Sequence, residues 1–297
     1  TAWFLRMTLL WAGAGVLAAG CSAATRTVVA PEDRPLPAMT ESRDVLLDRL
    51  SHLQEGIHTL TGVSVRYIAR GLGLTNGVLA EYRETEGMLL VERPDHIRMR
   101  GTAPLGFGTI FDMVSDRQTF AVSLPTENDY ITGQGDSVAC AENPVLNLRP
   151  QHIVDSLFVD VPPNVGGDTS FINTLEVVNE GRRSFYVLSF IDIAGRPAAL
   201  YEKIWVDRLD LSVIRKQLFG PEGVVQTDVE YSEWEETDSS LFPRRIIVER
   251  PLEDYSLEIR FQEILTNQIP PEGAFTLLQP SGFELRQIGS DPAECQQ

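Results

Sequence analysis

From Ser184 to Phe261 six strand-length runs follow one another with only short turns between them: Ser184–Asp192, Leu200–Asp207, Leu211–Phe219, Val224–Trp234, Arg244–Arg250 and Tyr255–Phe261. Runs this close leave no room for crossover helices, so antiparallel hairpins are the simple solution. In Leu200–Asp207 the apolar Leu200, Ile204 and Val206 alternate only roughly with Glu202, Lys203 and Asp207. Such a mixture is expected of a sheet with one side partly covered.

The first half of the chain repeats the pattern. Val63–Ile68, Gly77–Tyr82, Gly87–Val91, His96–Arg100, Thr109–Val114, Thr119–Ser123 and Asp129–Thr132 have strand length, with turn residues between them. Two segments read as helices instead. Glu41 to Leu60 places Val45 or Leu46, Leu50, Leu53 and Ile57 on one stripe, with Thr40 ahead of it and Gly62 after it. Pro150 to Phe158 has apolar spacing of three to four behind a proline. Residues 159–170, with adjacent prolines and adjacent glycines, read as a loop. About eleven to thirteen strands exceed what one open sheet normally holds without curling. The expected fold is therefore mainly β with a few helices, a strongly curved half-open antiparallel β-barrel whose apolar concave face is covered by helices. No linker divides residues 41–290, which read as one domain, and 291–297 as a tail.

The 297 residues carry a formal charge of -17. A surface of that sign repels phosphate backbones, so nucleic acid is not an expected partner. The N-terminus departs from the average composition: TAWFLRMTLLWAGAGVLAAG has one Arg, a continuous apolar run from Met7 and small residues before Cys21. This is a secretory signal over residues 1–20. Leu17, Ala18, Ala19 and Gly20 ahead of Cys21 resemble the lipobox of bacterial lipoproteins, in which the cysteine takes a diacylglycerol and becomes the first mature residue. That resemblance implies an anchor of acyl chains such as palmitate. Ser22 resembles an outer-membrane address, implying a Gram-negative bacterium and a periplasm-facing protein. Residues 21–40, small and Pro-rich, read as the lipidated cysteine and its tether. Cys140 and Cys295 either pair in that oxidising compartment, stapling the tail to the middle of the fold, or remain free thiols.

Six phrases, GMLLVERPDHIRMRG, PLGFG, FDMVSDRQTFAVSLP, IWVDRLDLSVIRKQLFGPEGVVQTDVEYSEW, FPRRIIVERP and EGAFTLLQPSGFEL, occur in this order. Together they resemble the LolA/LolB-like superfamily of periplasmic lipoprotein carriers and outer-membrane lipoprotein receptors, over about residues 41–286. Gly87 to Pro94 resembles its strand ending in an R-P turn, and Asp112 to Phe120 the next strand pair. Trp205, Val206 and Asp207 resemble the strand before the one carrying Leu211, Val213 and Ile214. Phe242, Pro243 and Ile246 resemble a late-strand entry, and Phe275 with Pro280 the closing phrase. The resemblance implies a cavity that takes acyl chains or lipoproteins as cargo, and a role in their transfer or outer-membrane insertion. It also implies that Leu105 and Phe107 form an apolar membrane-contact loop; the alternative reading is that the flanking glycines bend the loop back and Phe107 caps the core. The competing reading is a structural or sensory envelope lipoprotein of the same fold that transfers nothing.

No G-x-S-x-G, G-x-G-x-x-G, Walker A, HExxH or EF-hand pattern occurs. The four histidines are isolated, and the Gly133–Ser137 stretch lacks a nucleophile elbow. Neither enzyme activity, metal nor cofactor is expected. The acids Glu230, Glu233, Glu235, Glu236 and Asp238 lack the Asx and Gly scaffold of a calcium loop and read as a solvated sheet edge and turn.

Overall fold

The computed structural model describes residues 36–75, 78–81, 84–103, 108–135, 150–162, 170–195, 197–253 and 255–288, with backbone alone at 70–75 and 78–81. Helix α1 spans Arg43–His52 and helix α2 spans Pro150–Leu157. The strands are β1 (Thr59–Thr75), β2 (Val78–Glu81), β3 (Thr85–Glu92), β4 (His96–Thr102), β5 (Thr109–Ser115), β6 (Thr119–Leu124), β7 (Asp129–Gln134), β8 (Phe171–Glu180), β9 (Arg183–Asp192), β10 (Ala199–Asp207), β11 (Val213–Phe219), β12 (Val225–Glu236), β13 (Leu241–Arg250), β14 (Tyr255–Thr266) and β15 (Glu284–Ile288).

Helix α1 is shorter than the apolar stripe predicts. Its N-cap is Ser42, not Thr40, and the Ser42 hydroxyl accepts from the Val45 amide. Asp44 in the first turn and Arg49 and His52 in the last complement the helix dipole. The helix stops at His52. Leu53 and Ile57 still pack inward, Ile57 completely buried, but from an irregular connection. Within it Gly56 lies so close to Ser239 that a Cβ would stand 3.0 Å from the carbonyl oxygen.

The strands make one sheet, ordered β15-β7-β6-β5-β4-β3-β1-β14-β13-β12-β11-β10-β9-β8, with β2 hydrogen-bonded to β1. The curved antiparallel barrel is thereby corrected. The sheet is open and uncurled, its ends β15 and β8 are not paired to each other, and it is mixed, because β15 runs parallel to β7. The cause is the path after β14. Residues 267–283 leave the centre of the sheet and cross one wing, where Arg98 of β4 donates to the Ala274 carbonyl and Tyr130 of β7 to that of Leu277. A chain that crosses a sheet before re-entering it can return parallel, as a hairpin cannot.

Buried side chains of α1 and α2 and of β1, β3–β7 and β9–β14 form one core on the helix-covered face. Phe158, Phe242 and Phe261 stack edge to face through it, with centroids 5.9 and 5.5 Å apart. The acidic run of 230–236 lies on β12, where Glu230 pairs with both Arg215 of β11 and Ile247 of β13, whereas Glu235 and Glu236 pair with β13 alone. It is solvated, with Glu230, Glu233, Glu235 and Glu236 exposed, and beyond Glu230 it runs along an edge that β11 leaves unpaired, with Asp238 in the following turn.

Candidate functional site

Cys21, Cys140, Cys295, Leu105 and Phe107, the residues singled out in the sequence, lie outside the described residues. The structure does show the neck of the Leu105–Phe107 loop. There the Ala103 amide donates to the Gly108 carbonyl at 2.9 Å, and Gly108 takes φ 108°, a conformation glycine adopts without steric cost.

The apolar face carries two short helices held at their ends by polar contacts. Tyr186 of β9 accepts from the Glu41 amide at 2.7 Å and donates to the Met39 carbonyl, which also receives Arg208 Nε at 3.0 Å. Beyond α1, Gln54 is buried; its Oε1 accepts from the Val159 amide at 2.8 Å and its carbonyl from Arg93 Nη1 at 3.0 Å. Arg93 reaches onward to Asp160 with two bonds of 2.7 and 2.8 Å and lies 4.5 Å over the Phe158 ring. Thus the segments following α1 and α2 are tied to one another as well as to the sheet.

Helix α2 ends against two side chains from the far wing. Buried Lys216 of β11 donates from Nζ to the carbonyls of Asp155 (3.0 Å) and Phe158 (3.1 Å), and the Tyr231 hydroxyl donates to that of Ser156 at 2.9 Å. These satisfy carbonyls that a helix C-terminus leaves open. On the neighbouring strand Glu202 stands in register with Phe190 and Leu218, so its carboxyl faces the same core. It is 3% exposed, and its Oε1 has no hydrogen-bond partner. Burial pushes the Glu202 carboxyl up to about 7; Lys216 opposes the shift and Asp160 adds to it. Gln54 Nε2 is likewise buried without a partner. Sequence reasoning passes over Glu202 and Lys216, although Glu202 shares the parity of Leu200, Ile204 and Val206, a polar residue in the apolar register.

The opposite face holds a cleft of about 770 Å³ between β5–β7 and the crossing segment, with Val114, Tyr130 and Leu277 among its walls. Among the described residues no group of His, Cys, Asp and Glu is placed to hold a metal ion, and no helix is long and apolar enough to cross a membrane.

Among solved structures, a DUF1329 family protein from Desulfovibrio piger matches at 14% identity and TM-score 0.53, over 78% of this chain and 94% of that one. At that identity the likeness establishes a shared fold. A distant structural likeness extends to a LolA superfamily protein from Nitrosomonas europaea, at 13% identity and TM-score 0.46, over 80% of this chain and 99% of that one. No family model matches the chain, and no curated protein does.

Proposed function

We propose that this chain is a lipid-handling protein of the bacterial envelope. In this reading it is anchored through lipidated Cys21 at the periplasmic face of the outer membrane, and it takes acyl chains, free or carried by another lipoprotein, against its helix-covered face. One observation carries the proposal: among the described residues, a continuous apolar sheet face is closed by two short helices, whose ends are held by separable polar contacts. Lifting them uncovers apolar side chains on which each buried CH₂ of a ligand contributes about 0.8 kcal/mol. The unpaired Gln54 Nε2 and Glu202 Oε1 supply a donor and an acceptor for the polar end of such a ligand. The chemistry is binding and transfer, without a catalyst.

A second reading, a structural or sensory lipoprotein without cargo, is favoured by the packing of that face, filled by the protein's own side chains. Native mass spectrometry of the Cys21→Ser variant after gentle purification separates the two. Co-purified acyl species support cargo binding; a bare protein that also fails to bind added palmitate sinks it.

A further inference from the structure

We propose that the face away from the helices carries a saccharide-binding cleft, with a neutral glycan as its ligand. The cleft measures about 570 Å³ and lies across β9 to β13, walled by the β8–β9 and β10–β11 turns. That volume falls within the roughly 300–1,000 Å³ usual for small-molecule sites.

Two indoles and a phenyl ring line it. Trp205 alternates with the core residues Ile204 and Val206 and so points to the opposite face. Its Nε1 donates to Gln217 Oε1 at 3.2 Å, Gln217 Nε2 donates to Asp228 at 2.9 Å, and Asp228 receives Arg215 Nε at 2.7 Å. Trp234 Nε1 is similarly committed to the Val213 carbonyl at 2.8 Å. Both indoles therefore have their N–H groups satisfied by protein; Trp234 also packs against the core, 6.0 Å from the Tyr231 ring, so Trp205 is the indole whose ring surface turns to this face. The buried Phe185 ring meets Trp205 edge to face at 6.2 Å.

Glu233, beside the cleft, has φ 59° and lies between the Ser232↔Arg245 and Trp234↔Pro243 pairs, across which the register of β12 and β13 is unbroken. A non-glycine residue in the left-handed region beside a cleft is the kind of local strain that functional sites retain.

The polar groups choose among ligand classes. Three guanidiniums line the cleft, of Arg183, Arg215 and Arg245, and each is pinned by a carboxylate, that of Asp207, Asp228 or Glu258. Arg183 lies 5.2 Å over Phe185 and Arg215 5.9 Å over Trp205, so an organic cation meets ring faces already attended by positive charge. Four further carboxylates, Glu180, Asp210, Glu230 and Glu233, also line the cleft and repel a phosphate or a uronic acid. What remains is a ligand with many hydroxyls, no net charge and an apolar ring face. A pyranose chain has all three: its axial C–H face stacks on an indole, while its hydroxyls meet fixed guanidinium donors and carboxylate acceptors.

Tryptophan fluorescence of the purified full chain, titrated with maltotriose, cellotriose and N-acetylated chitotriose, tests this. De-acetylated chitotriose serves as the cationic control and trigalacturonate as the anionic one. We expect saturable quenching by at least one neutral trisaccharide and weaker responses to both charged ones. Trp205→Ala should lose about tenfold or more in affinity, and Trp205→Phe should keep most of it. Glu230→Gln, at an exposed position, should weaken binding without altering the melting temperature, which keeps the test valid if Trp205→Ala does not fold. No saturation by any neutral trisaccharide overturns the proposal. Equal binding of the charged controls, or unaltered affinity in both Glu230→Gln and a folded Trp205→Ala, overturns it too.

Discussion

The ammonium of Lys216 sits 3.0 Å from the carbonyl oxygen of Asp155, so a residue of β11 closes the last turn of a helix 61 residues earlier in the chain. The positive charge meets the negative end of the helix dipole, and the lysine is shielded from water. Lys216→Met keeps the stem and removes the donor. It should destabilise the protein by about 2 kcal/mol in urea titration and speed amide exchange in α2 more than in β1 or β14. Unchanged exchange across 150–157 would remove α2's latch from the account.

Glu202 makes stability depend on pH. Its folded value of about 7 exceeds the usual 4.5, so between those values the native state holds a proton that the unfolded chain has released. Stability from this group is complete below about pH 4.5, falls as pH rises toward 7 and is lost above it, a change of about 3 kcal/mol. The acids Asp116 and Glu258 are shifted down and act in the opposite sense. The comparison is therefore with Glu202→Gln, whose unfolding free energy relative to wild type should rise across this window. A pH-independent difference would show that Glu202 ionises normally. In Lys216→Met the midpoint should move upward, since the ammonium holding the shift down is gone.

The wings of the sheet are legible in the sequence where one face is buried and the other wet. In β4, buried Ile97 and Met99 alternate with half-buried His96, Arg98 and Arg100. The edges are not. β8 carries Asn173, Thr174, Glu176 and Asn179 among its apolar positions, is largely solvated and pairs on one side, so its β signal is weak. β15 pairs with a strand some 150 residues away, which periodicity does not encode. Openness escapes sequence reasoning for the same reason: alternation specifies faces, whereas closure depends on which edges meet. Of the interior site, Leu46 and Leu50 are readable from helical spacing. The Lys216 contact is not, because its acceptors are backbone carbonyls that carry no sequence signal.

Asp112 holds the crossing segment indirectly. Its buried carboxylate accepts from Arg98 at 2.9 and 2.8 Å and from Arg100 at 2.9 and 2.6 Å, and Arg98 then donates to the Ala274 carbonyl at 2.8 Å. Asp112→Asn leaves two guanidiniums facing a neutral amide. Loss of about 3 kcal/mol is expected, as when one partner of a buried pair is removed. Cleavage by chymotrypsin near Phe275 and Leu277 should increase ahead of cleavage in the sheet core. A loss within about 0.5 kcal/mol would place this cluster among ordinary surface pairs.

The loop carrying Leu105 and Phe107 gives the last prediction, which belongs to the proposed envelope role. Its neck is closed by the Ala103–Gly108 hydrogen bond, just beyond the Thr102↔Thr109 pair of β4 and β5. Gly108 is exposed, and a Cβ built on it would meet nothing within 4 Å. A neck in open solvent suits a loop whose apolar side chains meet a bilayer. Leu105→Glu and Phe107→Glu should then change the folding free energy by no more than about 0.5 kcal/mol, as exposed sites usually do. They should nonetheless slow delivery of a bound fluorescent fatty acid to acceptor vesicles, because a carboxylate resists entry into the hydrocarbon region. The alternative is that Phe107 folds back and caps the core. In that case the melting temperature of Phe107→Glu falls by many degrees, and transfer declines only in proportion to the folded fraction. Measuring melting and transfer on the same preparations decides between the two, since a membrane-contact role requires transfer to fall while melting stays fixed.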